Sequence, residues 1–139
     1  MHFKEERPWG YFEILYEGEG YKVKKLVIEP GQRTSLQKHL RRSEHWAVVK
    51  GEITVEMIIT WEDEETSTLE ETTGNIHFFV EQEEPHRISN RTLEDLVIIE
   101  TQIGDCDEND IIRIEDNYGR IGEGNKIQEK ETKMEKMED

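Results

Sequence analysis

Cysteine is almost missing from this chain. Cys106 is the only one in 139 residues, so no intrachain disulfide can form and a reducing compartment is expected. Long apolar runs are missing as well: none approaches the roughly 20 residues that a membrane span needs. The opening stretch Met1-His-Phe-Lys-Glu-Glu-Arg7 lacks the apolar core of a signal peptide. A soluble, cytoplasmic protein without a membrane partner is therefore expected. Positive charge is in deficit, with 18 Lys and Arg against 33 Asp and Glu and a net charge of −15. That balance argues against a nucleic-acid partner, because binding phosphate backbones depends on cationic side chains that displace counterions. Apolar residues make up only 33% against 37% charged, proportions that border on those of disordered chains. Here, however, the apolar and aromatic residues gather in short runs.

Those runs are rich in Val, Ile, Thr and aromatics and recur between turn signals, the pattern of an all-β barrel or sandwich. Strands are predicted over Tyr11–Tyr16, Tyr21–Glu29, Thr34–Lys38, Glu44–Lys50, Glu52–Thr60, Thr66–Glu70, Ile76–Val80, His86–Ser89 and Asp95–Gln102. The breakers between them include Gly18, Gly20, Pro30-Gly31, Gly51, Gly74-Asn75, Asn90 and Gly104. Pro30-Gly31 reads as a tight turn, with proline fixing φ and glycine free to take positive φ. No internal segment carries a sustained helical stripe of apolar residues, which argues against a βαβ architecture.

Charge is distributed unevenly. Lys22, Lys24, Lys25, Arg33, Lys38, Arg41 and Arg42 face a single acid, Glu29, whereas the stretch from Glu52 to Glu84 has eleven acids and no Lys or Arg. An anionic ligand would be steered to the first region and repelled by the second, although for most of these charges a solvated surface is expected. Residues 121–139 hold six acids, four lysines and few apolar side chains. Such a segment buries too little surface to offset its ordering entropy, so a disordered tail is predicted.

Four residues suggest a metal centre. Side chains two apart in a strand share a face, so Gln37 and His39 look the same way. Glu44 opens the next strand after a turn-like Arg41-Arg42-Ser43, and His86 arrives from a distant strand behind Pro85. Two imidazoles, a carboxylate and an amide oxygen suit zinc, manganese, iron, cobalt or nickel, and a six-coordinate ion would keep two positions for water or substrate. His45, next to Glu44, is expected on the opposite face, and His77 is a reserve candidate. Trp9, Trp46 and Tyr118 are expected in the core.

The arrangement Gly31, Gln37-x-His39, Glu44, Gly51 resembles the first motif of the cupin superfamily, and His86-x-x-x-Asn90 resembles the end of the second. More closely, the chain resembles the type II mannose-6-phosphate isomerase family. That cupin also forms the C-terminal part of bifunctional mannose-1-phosphate guanylyltransferase/mannose-6-phosphate isomerases. The resemblance is carried by Arg7-Pro-Trp-Gly10, Tyr21-Lys-Val-Lys24, Pro30-Gly31, Ser35-Leu-Gln37-x-His39, Glu44-His-Trp46, Pro85-His86-Arg87 and Arg113-x-Glu-Asp-Asn-Tyr-Gly-Arg120. Two positions depart from the family: Glu81 and Glu83 stand where Pro-x-Gly is usual, and Leu40-Arg41-Arg42 replaces a histidine-rich stretch. Glu81 and Glu83 are expected to add negative charge near the mouth of the pocket.

The resemblance implies an all-β cupin barrel (double-stranded β-helix, or jelly roll) over residues 1–120, with 121–139 as the charged tail. It implies a divalent metal (Zn, Mn, Co, Ni or Fe) on Gln37, His39, Glu44 and His86. It also implies interconversion of mannose 6-phosphate and fructose 6-phosphate, with a proton moving between C2 and C1. Arg120 and Lys24 are the residues expected to act on the sugar phosphate, with Lys22 and Arg87 as further cations for its phosphate. The proton-transferring base is left open between an acid and a lysine beside the metal. A homodimer is implied. The alternative is a non-catalytic metal- or sugar-binding cupin that partners a separate nucleotidyltransferase, since no nucleotide-binding Gly-rich loop is present.

Overall fold

A computed structural model of the chain describes residues 3–61, 64–73 and 77–119. Among these residues are eleven strands and no helix: β1 (Phe3–Arg7), β2 (Gly10–Gly18), β3 (Tyr21–Ile28), β4 (Leu36–Lys38), β5 (Arg42–Lys50), β6 (Ile53–Trp61), β7 (Glu64–Thr73), β8 (His77–Val80), β9 (His86–Ser89), β10 (Leu96–Gly104) and β11 (Ile112–Glu115). No helix among them is long and apolar enough to cross a membrane. A six-stranded sheet runs in the order β1-β2-β3-β10-β5-β8 and a five-stranded sheet in the order β11-β4-β9-β6-β7. The ladders are antiparallel throughout. The chain passes repeatedly from one sheet to the other, which makes a jelly-roll barrel of the expected all-β class.

All nine predicted strands are present, and β1 and β11 extend the two sheets at their edges. The Pro30-Gly31 turn takes the expected form: Gly31 has φ +76° and Gln32 N–H donates to the Glu29 carbonyl at 3.1 Å. Gly10 is required for a different reason. A Cβ there would lie 2.0 Å from the Val27 carbonyl oxygen, so any side chain would force β2 off β3.

Trp9, Phe12, Leu26, Ile28, Trp46, Val48, Ile53, Val55, Val80, Ile88, Leu96 and Ile98 form the core between the sheets. Three neighbouring strands divide the interior into two halves. The inward row of β3 runs Ile28, Leu26, Lys24, Lys22; that of β10 runs Leu96, Ile98, Glu100, Gln102; that of β5 runs Val48, Trp46, Glu44, Arg42. Register places Ile98 opposite Leu26 and Val48, Glu100 opposite Lys24 and Trp46, and Gln102 opposite Lys22 and Glu44. The rows change from apolar to polar at nearly the same level, so one end of the barrel is a sealed core and the other a polar pocket.

Two expectations are corrected here. Lys22, Lys24 and Arg42 belong to the inward rows and are only 8%, 4% and 6% exposed, so they are interior charges rather than a solvated surface. Arg42 and Ser43 are also not turn residues but the opening of β5. Arg120 and residues 121–139 lie outside the described residues, as does Gly74-Asn75.

Candidate functional site

Gln37 and His39 enter the polar half from β4 and the residue that follows it, Glu44 from β5 and His86 from β9. Gln37 is paired directly with His86 across the β4–β9 ladder. His39, Glu44 and His86 are all buried, and one potential ligand atom from each lies within 4.8 Å of the others. His39 Nδ1 meets the Asp110 carbonyl oxygen at 2.6 Å, and His86 Nδ1 meets the Glu84 carbonyl at 2.9 Å. A carbonyl only accepts, so each Nδ1 carries its proton and each Nε2 presents a lone pair to the interior. The two Nε2 atoms stand 3.4 and 3.6 Å from the Glu44 carboxylate. His86 Nε2 is buried and has no hydrogen-bond partner among the described residues, which is the state expected of an atom reserved for a cation. Gln37 accepts from Ser35 Oγ at 2.7 Å and turns its amide nitrogen toward His39 Nε2 at 3.5 Å. A half-turn of the amide aims its oxygen into the site, with Ser35 then accepting instead of donating. On these grounds the four residues fit a divalent ion.

The protonation states agree with that fit. Burial pulls the His39 imidazole down to about 3, only partly offset by Glu44, and lowers His86 as well. Both rings are therefore neutral near pH 7, as ligands must be. Burial alone would raise Glu44, but its neighbours outweigh burial and hold the carboxyl well below the usual carboxylate range. With His39 neutral, the charge that persists beside Glu44 is that of Arg42. The Arg42 guanidinium donates from Nε to Glu44 Oε2 at 3.0 Å, and its Nη2 is ion-paired with the same oxygen at 3.0 Å and lies 3.3 Å from His39 Nε2. Trp46 Nε1 donates to the other carboxylate oxygen at 3.2 Å.

Beyond this cluster the pocket is lined by Arg7, Lys24, Glu100, Gln102, Glu108 and Arg113, among others. Lys24 Nζ is tied to Glu108 at 2.6–2.7 Å and sits over the Phe12 ring, 4.0 Å from its centroid. Glu100 accepts from Gln102 Nε2 at 2.6 Å. Burial, with the Glu44 charge next, pushes the Glu100 carboxyl up to about 7 against the pull of Lys24 and Arg42. The segment from Asp105 to Ile111 organises one wall. Its Glu108 holds Lys22 and Lys24, while Asp110 accepts from the amides of Leu40 and Arg41 at 3.0 and 2.9 Å and fixes His39 through its carbonyl.

The chain matches the family model described as "Mannose-6-phosphate isomerase C-terminal" over residues 1–116. It belongs to that family. Curated relatives include a mannose-1-phosphate guanylyltransferase of Salmonella muenchen, 35% identical over 86% of this chain. Another is the alginate biosynthesis protein AlgA of Pseudomonas aeruginosa, 38% identical over 88% of it. The chain spans about a quarter of these relatives, 24% of each. Solved structures agree on a cupin barrel. The capsular polysaccharide assembling protein CapF of Staphylococcus aureus superposes over 83% of this chain and 33% of its own, at TM-score 0.73 and 17% identity. Oxalate decarboxylase from Bacillus subtilis does so over 81% and 30%, at TM-score 0.67 and 16% identity.

In this mannose-6-phosphate isomerase C-terminal domain the expected substrate cations are dispersed. Lys24 lines the pocket, but Lys22 is directed to Glu108 and the Cys106 carbonyl. Arg87 is not brought to the pocket. His86 and Ile88 point inward from β9, so alternation sends Arg87 outward, where it bonds the carbonyls of Thr34 and Glu115 and faces Glu56 at 3.6 Å. Asn90 is a structural tie: its amide nitrogen donates to the carbonyls of Ile28 and Glu94. Glu81 and Glu83 are exposed and do not line the pocket, and His45 faces outward, stacked on His77. Arg42, hidden in a turn-like stretch of the sequence, and Glu100, Gln102, Glu108 and Asp110 join the expected residues at this site. For Glu100 and Gln102 the available signal was alternation: the β10 apolar row Leu96, Ile98 continues into them.

Proposed function

We propose that this domain is a metal-dependent isomerase that interconverts mannose 6-phosphate and fructose 6-phosphate. The observation that carries the reading is the cluster of two neutral imidazoles and one carboxylate, with an unpartnered His86 Nε2, at the bottom of a polar pocket in a domain of this family. Gln37, His39, Glu44 and His86 would hold the ion, which when bound polarises a carbonyl and holds neighbouring oxygens. Arg42 keeps Glu44 ionised, and the carbonyls of Asp110 and Glu84 keep both histidines in the tautomer that presents Nε2. Arg7 and Arg113 line the same pocket and are the cations best placed for an anionic sugar, with Lys24 beside them and Arg120 as the further candidate. The divalent metal is left unspecified, and a homodimer belongs to the same proposal; a monomer in sedimentation analysis would reject the latter.

A second reading comes from the relatives. The chain matches part of proteins named guanylyltransferases, and a non-catalytic sugar-binding cupin that partners a nucleotidyltransferase is the alternative. A coupled assay for mannose 6-phosphate turnover, with Zn, Mn, Co or Ni added, separates the two. Metal-stimulated turnover supports the isomerase. Sugar-phosphate binding without turnover under any metal supports the alternative.

A further inference from the structure

We propose that Glu100 is the acid/base that carries the proton between C2 and C1, an assignment that rests on the isomerase reading above. Among the described residues, three carboxylates line the pocket: Glu44, Glu100 and Glu108. Each has a different set of partners. Glu44 is engaged by Arg42 and Trp46 and belongs to the cluster with His39 and His86. Glu108 is engaged by Lys22 and Lys24. Glu100 stands outside the metal-type cluster and accepts a hydrogen bond from Gln102.

Position supports the role. Glu100 sits on β10 one inward place from Gln102, which is directly opposite Glu44 on β5. Same-face diagonal neighbours in a sheet lie about 7–8 Å apart, a separation that leaves room for one or two substrate carbons between Glu100 and an oxygen held at the cluster. Gln102 adds a ligand-directed feature. It is fully buried, gives its amide hydrogen to Glu100, and leaves its carbonyl oxygen without a partner among the described residues. That oxygen is free to accept from a sugar hydroxyl next to the reacting carbons. The lysine option is the weaker one. Lys24 is held by Glu108 and the Phe12 ring, and an ion-paired ammonium has no lone pair with which to take a proton. The raised affinity of Glu100 for a proton, noted above, suits a group that must both accept and return one near neutral pH.

The step balances within the sugar. The Glu100 carboxylate takes hydrogen from C2 of the open-chain aldose as a proton, and the electron pair it leaves forms the C1–C2 double bond while the C1 oxygen takes the negative charge. The C2 hydroxyl proton passes to the C1 oxygen. The Glu100 carboxyl then returns its proton to C1 as the C2 oxygen becomes the carbonyl, and the enzyme ends as it began.

The test uses the full chain, the Glu100→Gln and Glu100→Asp variants, and mannose 6-phosphate in deuterium oxide. Wild type is expected to turn over and, because the Glu100 carboxyl exchanges with solvent, to incorporate deuterium at C1 of the fructose 6-phosphate formed. Glu100→Gln is expected to keep its metal content and to bind mannose 6-phosphate within about threefold by calorimetry, yet to lose about 10²–10⁴ in kcat together with the exchange. Glu100→Asp should fall between them. An active wild type whose Glu100→Gln variant still turns over or exchanges would overturn the assignment alone. So would loss of metal or fold in both variants, which makes Glu100 part of the framework. A wild type that neither turns over nor exchanges with any metal removes the isomerase reading first, before any variant is compared.

Discussion

At the scale of single residues, Arg42 and Glu83 show how local physics bears on the site. Arg42 is a buried cation whose main partner is the buried Glu44. Removing one member of such a pair leaves an uncompensated charge, which typically costs about 3–5 kcal/mol. Arg42→Met is therefore expected to lose about that much stability in chelator, as read from urea midpoints. A saturating divalent metal should narrow the gap to wild type, since the ion supplies the missing positive charge beside Glu44. If chelator and metal give equal losses, Glu44 does not face the ion. Glu83 presents the opposite case, a residue at odds with its backbone. Its φ is +64°, in the left-handed region that favours glycine, and its N–H donates to the His39 carbonyl at 2.7 Å. A non-glycine residue there costs about 1–2 kcal/mol. Glu83→Gly should raise stability by about 1 kcal/mol and shift Tm upward by a few degrees, with no change in metal content. A lower Tm would show that the side chain has a role of its own.

Among the elements, the segment from Asp105 to Ile111 contributes most to the site and was the least visible in the sequence. Its acids carry no spacing or apolar signal, yet Asp110 is fully buried, caps two amides of the β4–β5 connection and steers His39. Asp110→Ala leaves the Leu40 and Arg41 amides without their acceptor and loosens the ring they position. Outer contacts of this kind are worth about 10–100-fold in metal affinity, so competition against a chelating dye should show a loss of that size. Unchanged affinity would mean that the Asp110 carbonyl alone suffices to place His39. The contrast explains what could be read beforehand. Nine strands were legible because their Val, Ile and aromatic residues alternate between turn signals, and Gln37, His39, Glu44 and His86 stood out by residue type. β1 and β11 escaped notice because FKEER and IRIE carry few apolar positions and lie at sheet edges. Lys22 and Lys24 misled for a related reason. Period-two alternation tells which residues share a face, but a row that turns from Ile28 and Leu26 to Lys24 and Lys22 does not announce that its charged end is also inside.

For the whole molecule, the polar half of the barrel ties folding to pH in a way that isolates Glu100. In the metal-free protein, burial pulls His39 down to about 3 and lowers His86, whereas in the unfolded chain both titrate near 6.5. A lowered histidine confers stability that is present above the unfolded value and is lost as pH falls. Glu100 behaves oppositely: folded, it keeps its proton up to about 7 and, unfolded, only to about 4.3, so its contribution weakens as pH rises between those values. Between about pH 5 and 6 the histidines thus cost stability as pH falls, and the proton that Glu100 holds in the folded state alone offsets about 1.4 kcal/mol of that loss per unit. Glu100→Gln removes the proton on the folded side and leaves the histidines alone, so stability should fall more steeply toward low pH, by about a further 1.4 kcal/mol per unit. Urea midpoints for both proteins in chelator, at several pH values in this window, give the comparison directly. Parallel slopes would mean that Glu100 is ionised in the folded barrel throughout, leaving it no proton of its own to hold at the level where the interior turns from apolar to polar.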